Sequence, residues 1–388
     1  MKKPALRCAL FMALYYGANA VYQGYISKFY QQSGISGSRL ILLLVSFPLL
    51  SILSQPLWGW ASDRMPRRNV ALLITVGASI PLLCLLGLMK GYAGIAIVSC
   101  LFALFYPCVQ PLGDSLILQS LQESHIPYGR VRLAGSVSYA LCSLAAGALL
   151  GQNYRAMPWM AAGMLALLFG GALLLPSQAG RPHARIRGGF WRVFRLPHAL
   201  PLLGLVMLLQ AAMGYFYSYF ALHFTSLNGG SGALLGWAYL IGSASEIPFL
   251  LLGDRLFDRF GAGRLMLVSA AALTLRFGIL ALVRSPIAAL ASQALHGLGF
   301  VVMMLCMAKY MSRVAPPALR GSAQAVISMA GYGISRTFGV LAGGFISNRL
   351  GSIGAGFGLM AAVCALALIG FAPVFLRLPV LNGKKAKF

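Results

Sequence analysis

The chain has 388 residues, 59% of them hydrophobic and only 10% charged, with a mean hydropathy of +0.80. A soluble domain carries roughly 25% charged residues, so these values exclude a disordered chain, a coiled coil, a collagen and an ordinary cytosolic enzyme. The 31 Lys and Arg against 6 Asp and Glu give a net charge of +25. In a soluble protein that would point first to nucleic acid, but here the bases punctuate apolar runs of about 20 residues, the pattern of a polytopic membrane protein.

Twelve spans are predicted, near 5–29, 38–62, 70–89, 92–119, 131–151, 157–176, 199–225, 233–253, 264–284, 286–311, 321–348 and 353–376. All are read as helices, because a lipid-facing backbone must satisfy its own hydrogen bonds. The fold class is therefore an all-α membrane protein of twelve transmembrane helices in two six-helix bundles. The first bundle is 1–176, a basic cytoplasmic linker is 177–198, and the second bundle with a short basic tail is 199–388. Apolar character continues past Ala18-Asn19-Ala20 to about Phe29, which argues against a cleaved signal peptide. Most Lys and Arg fall in alternate connections, including Lys2, Lys3, Arg64, Arg67, Arg68, Arg181, Arg185, Arg187 and Lys384. That bias places both termini on the cytoplasmic side of a plasma membrane, of the bacterial inner-membrane type. It also attracts anionic lipid. The seven cysteines lie in or beside apolar runs without ligand spacing, and read as small core residues.

The halves repeat a feature. After span 2 stands Gly59-Trp60-Ala61-Ser62-Asp63-Arg64-Met65-Pro66-Arg67-Arg68, and after span 8 stands Asp258-Arg259-Phe260-Gly261-Ala262-Gly263-Arg264. A short turn with an acid and then a base closes the second span of each half. Such an internal repeat is the sign of a transporter with its site at the midplane between two bundles. The Gly59–Arg68 stretch resembles the span 2–3 signature of the major facilitator superfamily, with Pro66 in place of a glycine. Gly59, Asp63, Arg64 and Arg67, with Asp258 and Arg259 in the weaker copy, are the loop residues that this resemblance ties to conformational change. The likeness runs along essentially the whole chain.

Of the six acids, Asp63, Glu123, Asp254 and Asp258 are placed in loops, leaving Asp114 and Glu246 inside spans. An intramembrane charge costs at least about 2.5–3.5 kcal/mol on insertion scales, so both are functional candidates. Arg132, Arg276, His296 and Arg336 are the buried bases. Asp114 and Arg132 are close enough in sequence to pair, and two readings fit: a fork that grips a solute, or a structural ion pair. Here the likeness narrows to the lactose permease branch, with phenylpropionate-permease-like and nucleoside-symporter-like relatives. There the residues matching Asp114 and Arg132 hold a sugar, and an aromatic matching Tyr139 stacks on it. The Arg276 and His296 spacing is also similar to that branch, where the matching pair serves proton coupling and sugar binding. The branch's proton-carrying glutamate corresponds to Gly299, so that role does not transfer. Glu246 is the preferred proton carrier, tuned by Arg276 or His296 if either lies near it, and a permanently paired Glu246–Arg276 bridge is the other reading. His296 fits either a proton carrier or a satisfied core histidine. Tyr215, Tyr219 and His223 share one face of span 7, as Tyr15, Asn19 and Tyr22 do in span 1. Ring stacking on a solute and helix packing both account for them.

The function expected is secondary transport by alternating access: proton-coupled symport of a small polar solute, namely a sugar, glycoside or nucleoside. A small aromatic or organic acid, or an uncoupled uniporter, is the alternative. No cofactor is expected beyond a proton gradient, and no metal, nucleic acid or enzymatic activity. The expected partners are the solute, protons and the lipid bilayer, with the chain a monomer.

Overall fold

A computed structural model describes residues 3–122, 128–175, 189–316, 319, 323 and 326–377. Glu123 and residues 176–188, which include the first half of the expected linker, lie outside the described residues, as do Arg320 and the basic tail. The elements in order are α1 Lys3–Gln32, α2 Gly37–Arg64, α3 Arg68–Leu88, α4 Tyr92–Ala103, α5 Val109–Gln122, α6 Tyr128–Leu150, α7 Met157–Leu173, the short α8 Gly189–Val193, α9 Ala199–Ser226, α10 Gly232–Leu282, α11 Pro286–Ser292, α12 Val302–Val314, α13 Arg336–Arg349 and α14 Ile353–Arg377.

Nine helices among the described residues are long and apolar enough to cross a membrane. The twelve-span fold follows once three further crossings are recognised. α10 has 51 residues, and at about 1.5 Å per residue it is twice too long for one crossing. It is broken at Gly261, whose φ of 78° and ψ of 164° are non-helical. α1 is 30 residues long but rich in Tyr, Asn and Gln. The eleventh crossing joins a π-helical stretch, Ser328–Ser335, to α13.

The span expected at 92–119 is interrupted. Pro107 lacks an N–H and its ring collides with the carbonyl four residues earlier; α4 accordingly ends at Ala103, and a 3-10 turn, Tyr106–Cys108, leads into α5. Backbone carbonyls at the break are met from α2, where Trp58 Nε1 donates to Leu104 O at 3.0 Å and Gln55 Nε2 to Pro107 O at 3.4 Å.

The chain divides into two compact units. The first contains Met1–His183 with Phe224–Ser226 and Gly230–Leu240; the second contains Ala184–His223, Leu227–Gly229 and Ile241–Phe388. In the first, α1 packs on α6 and α7, and α3 on α7. The polar face of α1 is satisfied internally: Tyr15 and Tyr22 both contact the Tyr106 ring, whose hydroxyl donates to Asn19 Oδ1 at 3.5 Å. Tyr25 donates to Ser143 O at 2.8 Å and Tyr30 to Ser99 Oγ at 2.8 Å. In the second unit, α13 packs on α14.

Asp254 and Asp258 were expected in a loop, but the first half of α10 runs on to Gly261 and both are helical. They form a two-rung ladder with α12. Lys309 pairs with Asp254, and Arg313 Nη2 donates to Asp258 Oδ1 at 2.6 Å. Phe257, between the rungs, lies under both cations. Four-residue spacing on each helix aligns the rungs. Gly261→Ala is expected to destabilise the protein by about 1–3 kcal/mol, because its φ and ψ are essentially glycine-only. Gly278→Ala, in open space within a helix, is expected to be neutral or stabilising by up to about 1 kcal/mol. Thermal unfolding in detergent measures both, and equal shifts would mean that Gly261 does not carry the turn.

Candidate functional site

Each unit contains a polar cluster within its helices. In the first unit, the Tyr128 hydroxyl at the start of α6 donates to Asp114 Oδ1 of α5 at 2.8 Å. Arg132, one turn further along α6, lies 3.7 Å from the Tyr16 ring and donates from Nη1 to Ser136 Oγ at 3.3 Å. Arg132 is close enough for its charge to act on Asp114. Gln110 Nε2 donates to Tyr16 OH at 2.8 Å and its Oε1 accepts from Tyr15 at 3.3 Å, which fixes the ring beneath the guanidinium. Gly135 lets the Tyr16 ring lie against α6, since a Cβ there would meet that ring. Tyr139 is seven residues from Arg132 and shares its helix face; its ring meets Tyr239 edge-on at 6.4 Å. The structure thus places Asp114 and Arg132 in one cluster with Tyr16, Gln110 and Tyr128, which sequence reasoning missed, and sets Tyr139 two turns along the same helix face.

In the second unit, Arg276 is fully buried. Its Nη2 donates to Gln293 Oε1 at 2.5 Å, its Nη1 lies 2.8 Å from His296 Nδ1, and its guanidinium covers the Phe216 ring at 4.0 Å. His296 Nε2 lies 3.3 Å from Glu246 Oε1. A guanidinium has donors and no acceptor, so His296 Nδ1 must offer its lone pair to Arg276. The ring proton is then on Nε2, pointing at Glu246. In this arrangement the imidazole is neutral, and the group free to take up or release a proton is the Glu246 carboxyl.

Local sequence explains the approach. Gly297, next to His296, has its Cα against the backbone of Ser245, where any side chain would collide with the Ser245 carbonyl. Gly297 N donates to Ser245 Oγ at 2.8 Å, and that hydroxyl donates to Gly242 O at 2.6 Å. The helix carrying His296 is irregular on both sides of it, 3-10 at Gln293–Leu295 and π at Gly297–Val301. π turns displace side chains from the regular helical positions and recur at functional sites.

The expected role of Tyr215 and Tyr219 does not fit their placement. Tyr215 is fully buried, and its hydroxyl is engaged by Ser347 Oγ at 2.5 Å and Ile353 O at 2.8 Å. Tyr219 stacks on it at 4.6 Å, and His223 meets Phe357 at 5.1 Å. This face of α9 packs helices together. The adjacent face, with Phe216 and Tyr217, meets His296 and the arginines. The intramembrane amides Gln210 and Gln293 are the sequence signal that would have pointed there. Of the residues expected in the span 2–3 loop, Gly59, Asp63 and Arg64 lie in the last turns of α2, where a Cβ at Gly59 would meet open space and Arg64 lies 3.9 Å over Trp60, and Arg67 precedes α3 in extended conformation. Asp63 is half-buried and has partners of its own. Asp258 bonds Arg313, as above, and Arg259 lies over its neighbour Phe260 at 5.3 Å.

Residues 5–355 match the family model described as the MFS_1 like family. The maltose permease of Geobacillus stearothermophilus is 31% identical over 355 residues, 87% of each chain. A probable 3-phenylpropionic acid transporter of Escherichia coli (strain K12) is 27% identical over 282 residues, 71% of each chain. The crystal structure of the nucleoside transporter NupG (D323A mutant) superposes with a TM-score of 0.84 at 15% identity, covering 96% of this chain and 99% of that one. These likenesses are to transporters and not to enzymes.

Removing the guanidinium leaves Gln293 Oε1 and His296 Nδ1 without their donor and the nearby Glu246 carboxylate without an offsetting charge, so Arg276→Ala is expected to cost about 1–3 kcal/mol of stability. Arg276→Ala combined with Glu246→Gln should recover part of it. A thermal-unfolding double-mutant cycle reads this, and strict additivity would break the proposed link between the two residues.

Proposed function

The chain belongs to the MFS_1 like family of membrane transporters, and we propose that it is a proton-coupled symporter of a small polar solute of the sugar, glycoside or nucleoside class. The observation that carries this reading is the chain Gln293–Arg276–His296–Glu246, which holds one carboxyl at the end of a fixed hydrogen-bond series. A carboxyl so placed can gain or lose a proton while the Gln293–Arg276–His296 bonds stay in place. Protonation removes the carboxylate charge that offsets Arg276, so the charge of the cluster differs between the two states and conformational exchange is tied to proton binding. The proton gradient then supplies the energy, with no cofactor.

Solute recognition is assigned to Asp114, Arg132 and Tyr139. A carboxylate accepts from sugar hydroxyls, a guanidinium donates in a fork, and an aromatic face takes an apolar ring surface. The maltose permease likeness supports a sugar. The two units act as six-helix bundles that rock in alternating access. Both termini lie on the cytoplasmic side of a bacterial inner membrane, the basic connections contact anionic lipid, and the chain works as a monomer.

Purified protein in liposomes, given maltose, a nucleoside and an aromatic glycoside in turn, tests this. External alkalinisation on addition of one of them is the expected result. Glu246→Gln should retain solute exchange and lose accumulation driven by a proton gradient; uphill uptake by that variant would remove Glu246 as the carrier. Asp114→Asn and Arg132→Ala are each expected to weaken solute binding at least about tenfold, the value of a lost charge-assisted contact. Unchanged affinity would remove them from the site.

A further inference from the structure

At one end of the first compact unit, three segments meet around a cavity of about 390 Å³. They are the last turns of α1, the turn that follows α6 and the start of α10. The lining includes Lys28, Gln31, Gln152, Tyr154, Ser231 and Gly232. Neither the Asp114 and Arg132 cluster nor the Gln293–Glu246 series contributes to it. The walls are fixed by contacts of their own. Gln32 Nε2 donates to Gln152 O at 3.0 Å and Gln32 Oε1 accepts from Arg155 N at 3.0 Å, which ties α1 to the turn. Gly232 lies against the same turn, where a Cβ would collide with the Gly151 carbonyl.

Three kinds of donor are left to face the cavity. Lys28 is half-buried, donates to Gln31 Oε1 at 2.7 Å and lies 5.2 Å from the centre of the Tyr154 ring. An ammonium has three donors, and among the described residues Lys28 has no carboxylate partner. Segments 24–35, 150–157 and 224–236 contain no Asp or Glu. Tyr154 is only 6% exposed, yet among the described residues its hydroxyl has no hydrogen-bond partner. That hydroxyl stands 3.0 Å from the Cβ position of Gly232, at the first turn of α10. Ser231 Oγ accepts from Leu234 N at 3.2 Å, and the N–H groups of Gly232 and Ala233, the first in the helix, have no intrahelical acceptor. The helix runs from there to the break at Gly261, so the positive end of its dipole is at the cavity.

We propose that this cavity is a binding site for a phosphate ester, with Lys28, the Tyr154 hydroxyl and the start of α10 as its donors. These donors come from three segments and therefore from several directions. A tetrahedral phosphoryl group offers an oxygen to each of them, whereas a planar carboxylate offers two oxygens in one plane. Lysine serves phosphate as a point charge, and a helix N-terminus favours the same group. Gln31 and Gln152 are exposed at the rim, where their amides suit the hydroxyls of an attached alcohol. Glycerol phosphate has this chemistry, either free in solution or as the headgroup of an anionic lipid. A phosphate held there joins the end of α1 to the start of α10. The site stands apart from the residues assigned to solute and proton, and does not depend on that assignment.

The test uses full-length protein in detergent at fixed ionic strength, with ligand-induced thermal stabilisation as the readout. Glycerol 2-phosphate is compared with acetate and with glycerol. Saturable binding of the phosphate ester, at least about tenfold tighter than acetate and absent for glycerol, is expected. Lys28→Gln should weaken it at least about tenfold, and Tyr154→Phe, which removes only the hydroxyl, about two- to tenfold. Arg39→Gln removes a cation that lies over Tyr92, away from the cavity, and should leave the affinity unchanged. A second arm uses nanodiscs of phosphatidylcholine with and without phosphatidylglycerol. Stabilisation by phosphatidylglycerol that Lys28→Gln removes, without binding of the soluble ester, supports the site and names the headgroup as its occupant. Acetate binding as tight as the ester, or an equal loss in Arg39→Gln, means attraction by net charge alone and overturns the proposal. A folded Lys28→Gln with wild-type affinity also overturns it, as does a response to neither the ester nor the lipid. If Lys28→Gln fails to fold, Tyr154→Phe decides, and unchanged affinity in that variant overturns the proposal.

Discussion

One enclosed cation, Arg276, sets the terms for the second unit. A guanidinium cannot shed its charge by deprotonation, so every donor aimed into the helices needs an acceptor or an aromatic face. Gln293 and His296 take Nη2 and Nη1 and Phe216 covers the guanidinium face, and in doing so they fix more than the arginine. His296 is left with a lone pair toward Arg276 and a proton toward Glu246. The carboxyl at the end of the series is then the single group whose protonation state can change without breaking a bond to Arg276. Chemistry and stability therefore share the same residues here.

The helices around that series are irregular where it needs them to be. Regular α-helix places side chains at fixed angular steps, and on the path through His296 the chain leaves that pattern twice within nine residues, by a 3-10 turn and then a π turn. The eleventh span does the same, with π geometry over Ser328–Ser335 directly before Arg336. Both irregular stretches abut glycines that let backbones touch, Gly297 against Ser245 and Gly214 against Arg336. Glycine packing and altered helical pitch together bring groups from three spans within hydrogen-bonding range, which straight helices at ordinary spacing would hold apart.

The fold was largely legible because the signal that carries it, apolar length between basic turns, is local. Proline placed the break before α5, although the sequence reading ran one span through it. The positions of Asp114, Arg132, Arg276, His296 and Glu246 were also legible, since a charge in a lipid-spanning run stands out wherever it is. The faces were not. α9 carries polar groups on two faces, Gln210 with Tyr217 on one and Tyr215, Tyr219 and His223 on the other, and the regular spacing of the second set pointed to the packing face. The face toward Arg276 and Arg336 is carried by Phe216, Tyr217 and Gln210, whose significance comes from neighbours on other spans. Asp254 and Asp258 were misplaced for a related reason: their helical partners, Lys309 and Arg313, lie some 55 residues away in sequence.

Gly299 shows how packing decides which position can hold an acid. The family resemblance sets a glutamate there, one turn after the histidine. In this chain a Cβ at Gly299 would stand 2.6 Å from Leu273 Cδ2, so a carboxylate at that position would be driven into an apolar contact with the second half of α10. Burying an ion against leucine without a partner costs several kcal/mol. Glu246 approaches His296 from the other half of α10, along the Gly297–Ser245 contact, and reaches the nitrogen that carries the proton. The acid has a place beside the histidine because glycine at position 297 lets the backbone of Ser245 approach.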